Sequence, residues 1–211
     1  VSLNPGWHST VFPPYFVAGA ILSGFAMVVT LLVPMRRLLG LGEWITTRHC
    51  DNMGKILLLT SLVVTHGYFM ETYVAWWSGD AAEMRLLHQR LSGAAAPVFW
   101  ATIVCNSILP QVLWWGAARR SVGLLFGLSL VINVGMWLER YLIVATTLEQ
   151  RFLPASWGEF SGTFWDWSLF VGSFGLFFTL LLLFVRFLPV LSMHEMKEHL
   201  VHETKEGGSH G

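Results

Sequence analysis

The chain alternates long apolar runs with short polar ones. A hydrocarbon core of about 30 Å needs about 20 apolar helical residues, and five runs are long enough. They extend from Pro13 to Pro34, Met53 to Trp77, Gly93 to Ala117, Val122 to Thr146 and Phe164 to Pro189. Each run is continuous and does not alternate on a two-residue period. The pattern therefore predicts membrane-spanning helices and not barrel strands. The first and third runs carry no charge. The second carries His66 and Glu71, the fourth Glu139 and Arg140, and the fifth Asp166 near its start and Arg186 near its end. The fold class expected is all-α integral membrane, with five transmembrane helices.

Local signals agree with these limits. Pro13-Pro14 suits a helix start, where a missing N–H costs little. Pro34 and Pro189 stand at run ends, and Pro110 inside the third run predicts a kink. Asn106, Ser107 and Gln111 bracket that proline. They either satisfy the backbone groups it releases or line a hydrated path. Tyr15, Trp76, Trp77, Trp114, Trp115, Trp165 and Trp167 gather near run ends, as an interfacial aromatic belt does. Gly19…Ser23-Gly24 and Gly123…Gly127 have a spacing that lets helices approach closely. Asp166 fits a helix N-terminus.

Composition removes several function classes. Of 211 residues, 54% are hydrophobic and only 12% charged, about half the charged share of a soluble domain. Thirteen basic and thirteen acidic residues cancel, so no basic face points to nucleic acid. Cys50 and Cys105 are the only cysteines, without a C-x-x-C pattern. A disulfide framework, a structural zinc and a Cys-ligated iron–sulfur cluster are not expected within this chain. No signal-peptide pattern precedes the first run, and the start on Val1 reads as a piece of a longer protein.

The charges also predict orientation. One side of the membrane would hold Arg36, Arg37, Arg48, Lys55, Arg119, Arg120, Arg186, Lys197 and Lys205, and the other Arg85, Arg90 and Arg151. The positive-inside rule makes the first side cytoplasmic. The stretch before Pro13 and the loops 78–92 and 147–163 are then outside. The tail with His194, Glu195, Lys197, Glu198, His199, His202 and Glu203 is a solvated tail or a metal-binding one.

Ionisable groups inside spans are costly and usually face the bundle interior. Glu71 and Glu139 each lie about 18 residues into a span of the same direction, so both belong to the outer third of the membrane. Arg140 is adjacent, and Tyr68, Tyr73 and Tyr141 flank them. This layer either relays protons, holds a structural ion pair of Arg140 with Glu71 or Glu139, or contacts a ligand. His66 lies about five residues deeper. It is either hydrogen-bonded in the core or part of a proton path. It is also the only histidine well inside a span, so a membrane haem with two axial histidines is not expected from this chain. His8, beside Trp7 at headgroup level, is an ordinary interfacial histidine or a base that accepts a quinol proton.

Four stretches carry a resemblance: Gly6-Trp7-His8-Ser9-Thr10-Val11-Phe12-Pro13-Pro14-Tyr15 and on to Ile21; Asn133-Val134-Gly135-Met136-Trp137-Leu138-Glu139-Arg140-Tyr141; Phe152-Leu153-Pro154-Ala155-Ser156-Trp157-Gly158; and Val171 to Phe178. The chain resembles the NrfD/PsrC-like membrane subunits, the polysulfide-reductase anchor family. Within it the chain is nearest to the ActC-type subunits of bacterial alternative complex III, with the ActF type next. The resemblance implies the second half of a longer subunit. Residues 1–12 would be a periplasmic-side lead-in and 13–146 a four-helix bundle. Residues 147–163 would be a periplasmic loop, 164–189 a C-terminal helix and 190–211 a cytoplasmic tail, in the bacterial inner membrane.

It also implies oxidation of menaquinol or a related quinol at a site shared with missing spans, with no haem or iron–sulfur cluster in this chain. The implied partners are an iron–sulfur subunit, c-type haem subunits, a homologous membrane subunit and, beyond them, a terminal oxidase. His8 would be the residue nearest the quinol. The proton-path candidates would be His66, Glu71, Glu139, Arg140, Tyr68, Tyr73 and Asn106. Two rival readings remain: a non-catalytic scaffold that anchors redox partners, and a proton-coupled transporter, to which the kink at Pro110 is the only pointer.

Overall fold

The computed structural model describes residues 7, 11–42, 44–149, 158 and 161–188. Contacts divide the chain into two units, residues 1–160 and 161–211, each described by itself. Among the described residues every regular element is helical.

In the first unit, α1 spans Phe12–Leu38, α2 Thr47–Ser78 and α3 Ala81–Ser92. Helix α4, Ala96–Ile103, continues through a wide π turn, Val104–Ile108, and a 3₁₀ stretch, Leu109–Trp114. Helix α5 is short, Gly116–Arg120, and α6 spans Val122–Glu149. In the second unit, α7 spans Phe164–Phe187. Among the described residues five segments are long and apolar enough to cross a membrane: α1, α2, Ala96–Trp114, most of α6, and α7. The expected five spans are therefore present.

Helix α1 packs on α2 and on α6, and the third span packs on the same two helices from the other side. The four make a bundle. Each helix turns one stripe inward at helical spacing. On α1 the buried stripe is Tyr15, Ala18, Leu22, Ala26, Val29 and Val33. On α2 it includes Leu57, Ser61, Val64, Tyr68 and Ala75. Leu125, Ile132, Met136, Glu139 and Ile143 form the stripe of α6. In lipid the helices gain little from hiding apolar surface, so close packing matters more. Glycines mark the tightest approaches. A Cβ on Gly54 would lie 3.0 Å from Arg119 Cγ, and one on Gly67 would lie 2.7 Å from the Tyr15 ring. A Cβ on Gly135 would overlap Cys105 and Asn106. Gly19 has the same role, whereas Gly24, Gly123 and Gly127 would meet nothing within 4 Å.

Three elements differ from expectation. Helix α2 starts at Thr47, six residues before its apolar run, and the Thr46 N–H donates to His49 Nδ1 at 3.2 Å. The polar opening turns are held by charge: Asp51 pairs with Lys55 at 2.7 Å and with Arg119 Nε at 2.9 Å. Arg119 Nη1 also donates to the carbonyls of Leu113 and Trp114. It thereby satisfies groups orphaned where the third span ends.

The stretch 78–92, expected as a loop, contains α3. Helix α2 stops at Gly79, whose φ of +66° is a left-handed cap that favours glycine. Asp80 then caps α3 by accepting from the Ala82 N–H at 3.1 Å. Ala82, Leu86 and Arg90, four residues apart, form its buried face.

The third span is irregular well before its proline. Pro110 has no N–H to offer the Asn106 carbonyl one turn back. The Ser61 hydroxyl of α2 donates to that carbonyl at 2.6 Å, and Gln111 Nε2 donates to the Ser107 carbonyl at 2.7 Å. Of the three polar residues around Pro110, only Gln111 serves the backbone by its side chain as expected. In α7, the Thr163 N–H donates to Asp166 Oδ2 at 2.7 Å, the helix-start role expected for Asp166.

Candidate functional site

Polar side chains converge where α1 begins and α2 and α6 end. Glu139 on α6 is 1% exposed. The Tyr68 hydroxyl of α2 donates to its Oε2 at 2.5 Å. Asn106 Nδ2, from the π turn, donates to the Tyr68 oxygen at 3.0 Å and reaches Oε2 at 3.5 Å. The π turn matters here: it rotates Asn106 inward, while the carbonyl freed by Pro110 is taken by Ser61.

One carboxyl oxygen is thus held by two donors. The other, Oε1, accepts no hydrogen bond, and neither does Asn106 Oδ1. The nearest cation to Oε1 is Arg140 Nη2 at 3.6 Å, beyond hydrogen-bond range. Arg140 instead sets its guanidinium 3.8 Å above the Phe16 ring, a cation–π contact. Gly19 makes the room, since a Cβ there would lie 3.1 Å from Arg140 Nη2. Tyr15 completes the cluster from α1. It is 4% exposed, with its ring edge-on to Tyr68 at 5.4 Å.

A second carboxylate lies further along α2. Glu71 Oε1 accepts from Arg90 Nη1 at 2.8 Å, with the side chains 20% and 10% exposed. Burial works against the charge on Arg90, but the attraction and hydrogen bond of Glu71 outweigh it and raise the guanidinium above its usual value. Glu71 is also felt electrostatically by Tyr15 and Glu139. The two carboxyl groups therefore belong to one polar layer, as their depth in the sequence implied.

The structure brings together Tyr68, Asn106, Glu139 and Arg140, with Glu71 alongside. It does not bring His66 or Tyr73 to them. His66 is exposed, on the α2 stripe of Leu59, Val63, Phe69 and Trp76, opposite the buried one. Core burial, expected for His66, is not what this face provides. Tyr73 is 42% exposed and stacks with Phe69 and Trp77. Tyr141 stacks on Trp137 and is also exposed. The pairing left open for Arg140 falls to Glu139, because Glu71 is held by Arg90.

His8 and the histidines of the tail lie outside the described residues. Trp7 does not, and its Nε1 donates to Thr147 Oγ1 at 2.9 Å near the end of α6. Among the described residues no three His, Cys, Asp or Glu side chains cluster as a metal site.

Sequence reasoning missed Arg90, Tyr15 and Ser61. The charge pattern places Arg90 in a loop, although its spacing from Ala82 and Leu86 marks one helix face. Tyr15 fits the aromatic belt by its place near a run end, although it begins the stripe that continues through Ala18 and Leu22. Nothing in the sequence singled out Ser61 from other hydroxyls.

The model of the polysulphide reductase, NrfD, family matches residues 1–151. The chain belongs to the NrfD family. The matched stretch covers the whole polar layer, from Tyr15 to Arg140. No curated protein matches the chain. In this NrfD-family bundle, a buried carboxyl can take a proton on Oε1 without breaking the bonds at Oε2. That is the chemistry the geometry offers.

Proposed function

We propose that this chain is a membrane subunit of a quinol:electron-acceptor oxidoreductase of the alternative complex III kind, in the ActC-type position. Oxidising a quinol breaks two O–H bonds, sends two electrons to an iron–sulfur partner and leaves two protons to be moved. The observation that carries the reading is Glu139: a carboxyl 1% exposed, inside a membrane-spanning bundle, bonded through one oxygen only. Groups of this kind mark proton relays in membrane proteins. In this reading Glu139 and Tyr68 move protons, Asn106 orients them by donating to the Tyr68 oxygen, and Arg140 balances charge, while His66 and Tyr73 lie on the exposed face of α2. The quinol, menaquinol or a relative, binds at a site shared with neighbouring spans, and His8 lies nearest to it. Trp7, the described residue before His8, donates to Thr147 Oγ1 near the end of α6. Thr147 is about 12 Å along the helix from Glu139 at 1.5 Å per residue.

The charge asymmetry supports an inner-membrane orientation with the lead-in periplasmic and the tail cytoplasmic. Iron–sulfur and c-type haem subunits, a homologous membrane subunit and a terminal oxidase are the proposed partners.

The scaffold reading draws on a different observation, the Glu71–Arg90 pair, which ties α3 to α2 and serves assembly as well as chemistry. One experiment separates the two. The complex purified through this chain is compared with its Glu71→Gln, Glu139→Gln double variant. Normal assembly with quinol turnover at least about tenfold lower supports proton transfer by these groups. Poor assembly with unchanged activity per assembled complex supports the scaffold. His8→Ala in the same complex is expected to lower quinol turnover with assembly intact.

A further inference from the structure

The two carboxyl groups of the polar layer have different electrostatic settings. Glu71 is bonded to a cation at 2.8 Å. Glu139 has its nearest cation at 3.6 Å, and that cation is turned onto the Phe16 ring. The difference comes from α3, a helix too short to span a membrane. Its start is fixed by the Asp80 cap and its end by Gly93, where a Cβ would lie 2.8 Å from Gln89 Cα. Arg90 stands in its last turn, 8% exposed. A long side chain at that place, on a helix fixed at both ends, bonds Glu71, and Glu83 of the same helix acts on it without a bond.

We infer that Arg90 is a positioning residue: from α3 it holds Glu71 as a fixed countercharge, and so leaves Glu139 as the single carboxyl of the layer that gains and loses a proton. The inference rests on the reading of Glu139 as a proton-handling group. It adds a division of labour between two acids that the sequence does not distinguish. Arg90 acts through Glu71, to which it is bonded, and makes no bond to Glu139. An unpaired carboxylate in apolar surroundings takes up a proton instead of remaining charged, so removing Arg90 makes Glu71 behave like Glu139.

The groups facing each acid bound the prediction. Around Glu139 stand Tyr68 on α2, Tyr15 on α1, Asn106 on the third span and Arg140 on α6, with Glu71 further off. Around Glu71 stand Arg90 and, from α1, Tyr15, while Glu83 on α3 acts on Arg90. None of them replaces Arg90 as a bonded cation for Glu71.

Infrared difference spectra of the full chain in its membrane complex, recorded across pH, read protonated carboxyl groups directly. The wild type is expected to show one titrating buried carboxyl band, lost in Glu139→Gln and kept in Glu71→Gln. Arg90→Gln is expected to add a second band, and Arg90→Gln with Glu71→Gln to remove it again. Arg90→Lys keeps a cation and is expected to restore the single band. The double variant buries no lone charge, so it remains a fair comparison if Arg90→Gln alone does not fold. A wild-type band lost in Glu71→Gln in place of Glu139→Gln would overturn the inference. So would an Arg90→Gln spectrum identical to wild type. The spectra need no quinol: a complex with these bands and no quinol oxidation would refute the proposed activity and leave the role of Arg90 standing.

Discussion

At the scale of single residues, a few side chains and their partners decide how the polar layer is held. Tyr68 donates to Glu139 Oε2 at 2.5 Å, a shorter contact than that from Asn106 at 3.5 Å. Tyr68→Phe keeps the ring against Tyr15 and removes that donor. It is expected to cost about 1–3 kcal/mol of stability, because a buried acceptor loses its bond. Thermal unfolding of the purified protein in detergent would measure it, and no change in midpoint would mean that the bond is not made. Glu71, Glu139 and Arg140 were legible from the sequence because charge inside an apolar run is rare enough to stand out. Their partners were not. A tyrosine at a span end fits an aromatic belt as well as a core, and only the helical stripe from Tyr15 through Leu22 and Val29 tells the two apart. His66 carries the opposite lesson. Its depth suggested a role, but depth says nothing of which face of α2 it occupies.

Among elements, the third span is the informative one. Its apolar run and Pro110 predicted a span with a break, and both are present. The form of the break depends on a neighbour. Ser61 of α2 satisfies the Asn106 carbonyl, which leaves the Asn106 side chain free to join Tyr68 and Glu139. No reading of the run alone contains that exchange, since it joins residues 45 positions apart. A double-mutant cycle tests it. Ser61→Ala in the wild-type background is expected to cost about 1–3 kcal/mol, the penalty of an unsatisfied buried carbonyl. In a Pro110→Ala background the restored N–H can serve that carbonyl, and the same change is expected to cost markedly less. Equal costs in both backgrounds would mean that Ser61 does not substitute for the missing donor. Helix α3 escaped the sequence reading for a different reason. Charged and short, it resembles a loop in composition, and only its cap at Asp80 and the Ala82–Leu86–Arg90 spacing show a helix.

For the whole molecule, a net charge of zero conceals two distinct uses of charge. Arg119, Asp51 and Lys55 clamp one end of the bundle, where α2 begins and the third span ends. Glu71, Arg90, Glu139 and Arg140 sit at the other end, where α1 begins. The first group pairs its charges with one another and serves two backbone carbonyls. In and beside the second, Glu139 Oε1 and Asn106 Oδ1 lack donors and Arg90 Nε and Arg140 Nη1 lack acceptors, and that imbalance is what distinguishes a site from a clamp. Span number and polar depth could be read from the run lengths. The difference between the two ends could not, because it depends on hydrogen bonds and not on composition. The most direct measurement is the rate of quinol-driven proton release, recorded in proteoliposomes that hold the intact complex with Glu139→Gln. The account predicts an assembled complex whose quinol-driven proton release falls at least about tenfold. Wild-type turnover together with wild-type proton release in that variant would contradict it.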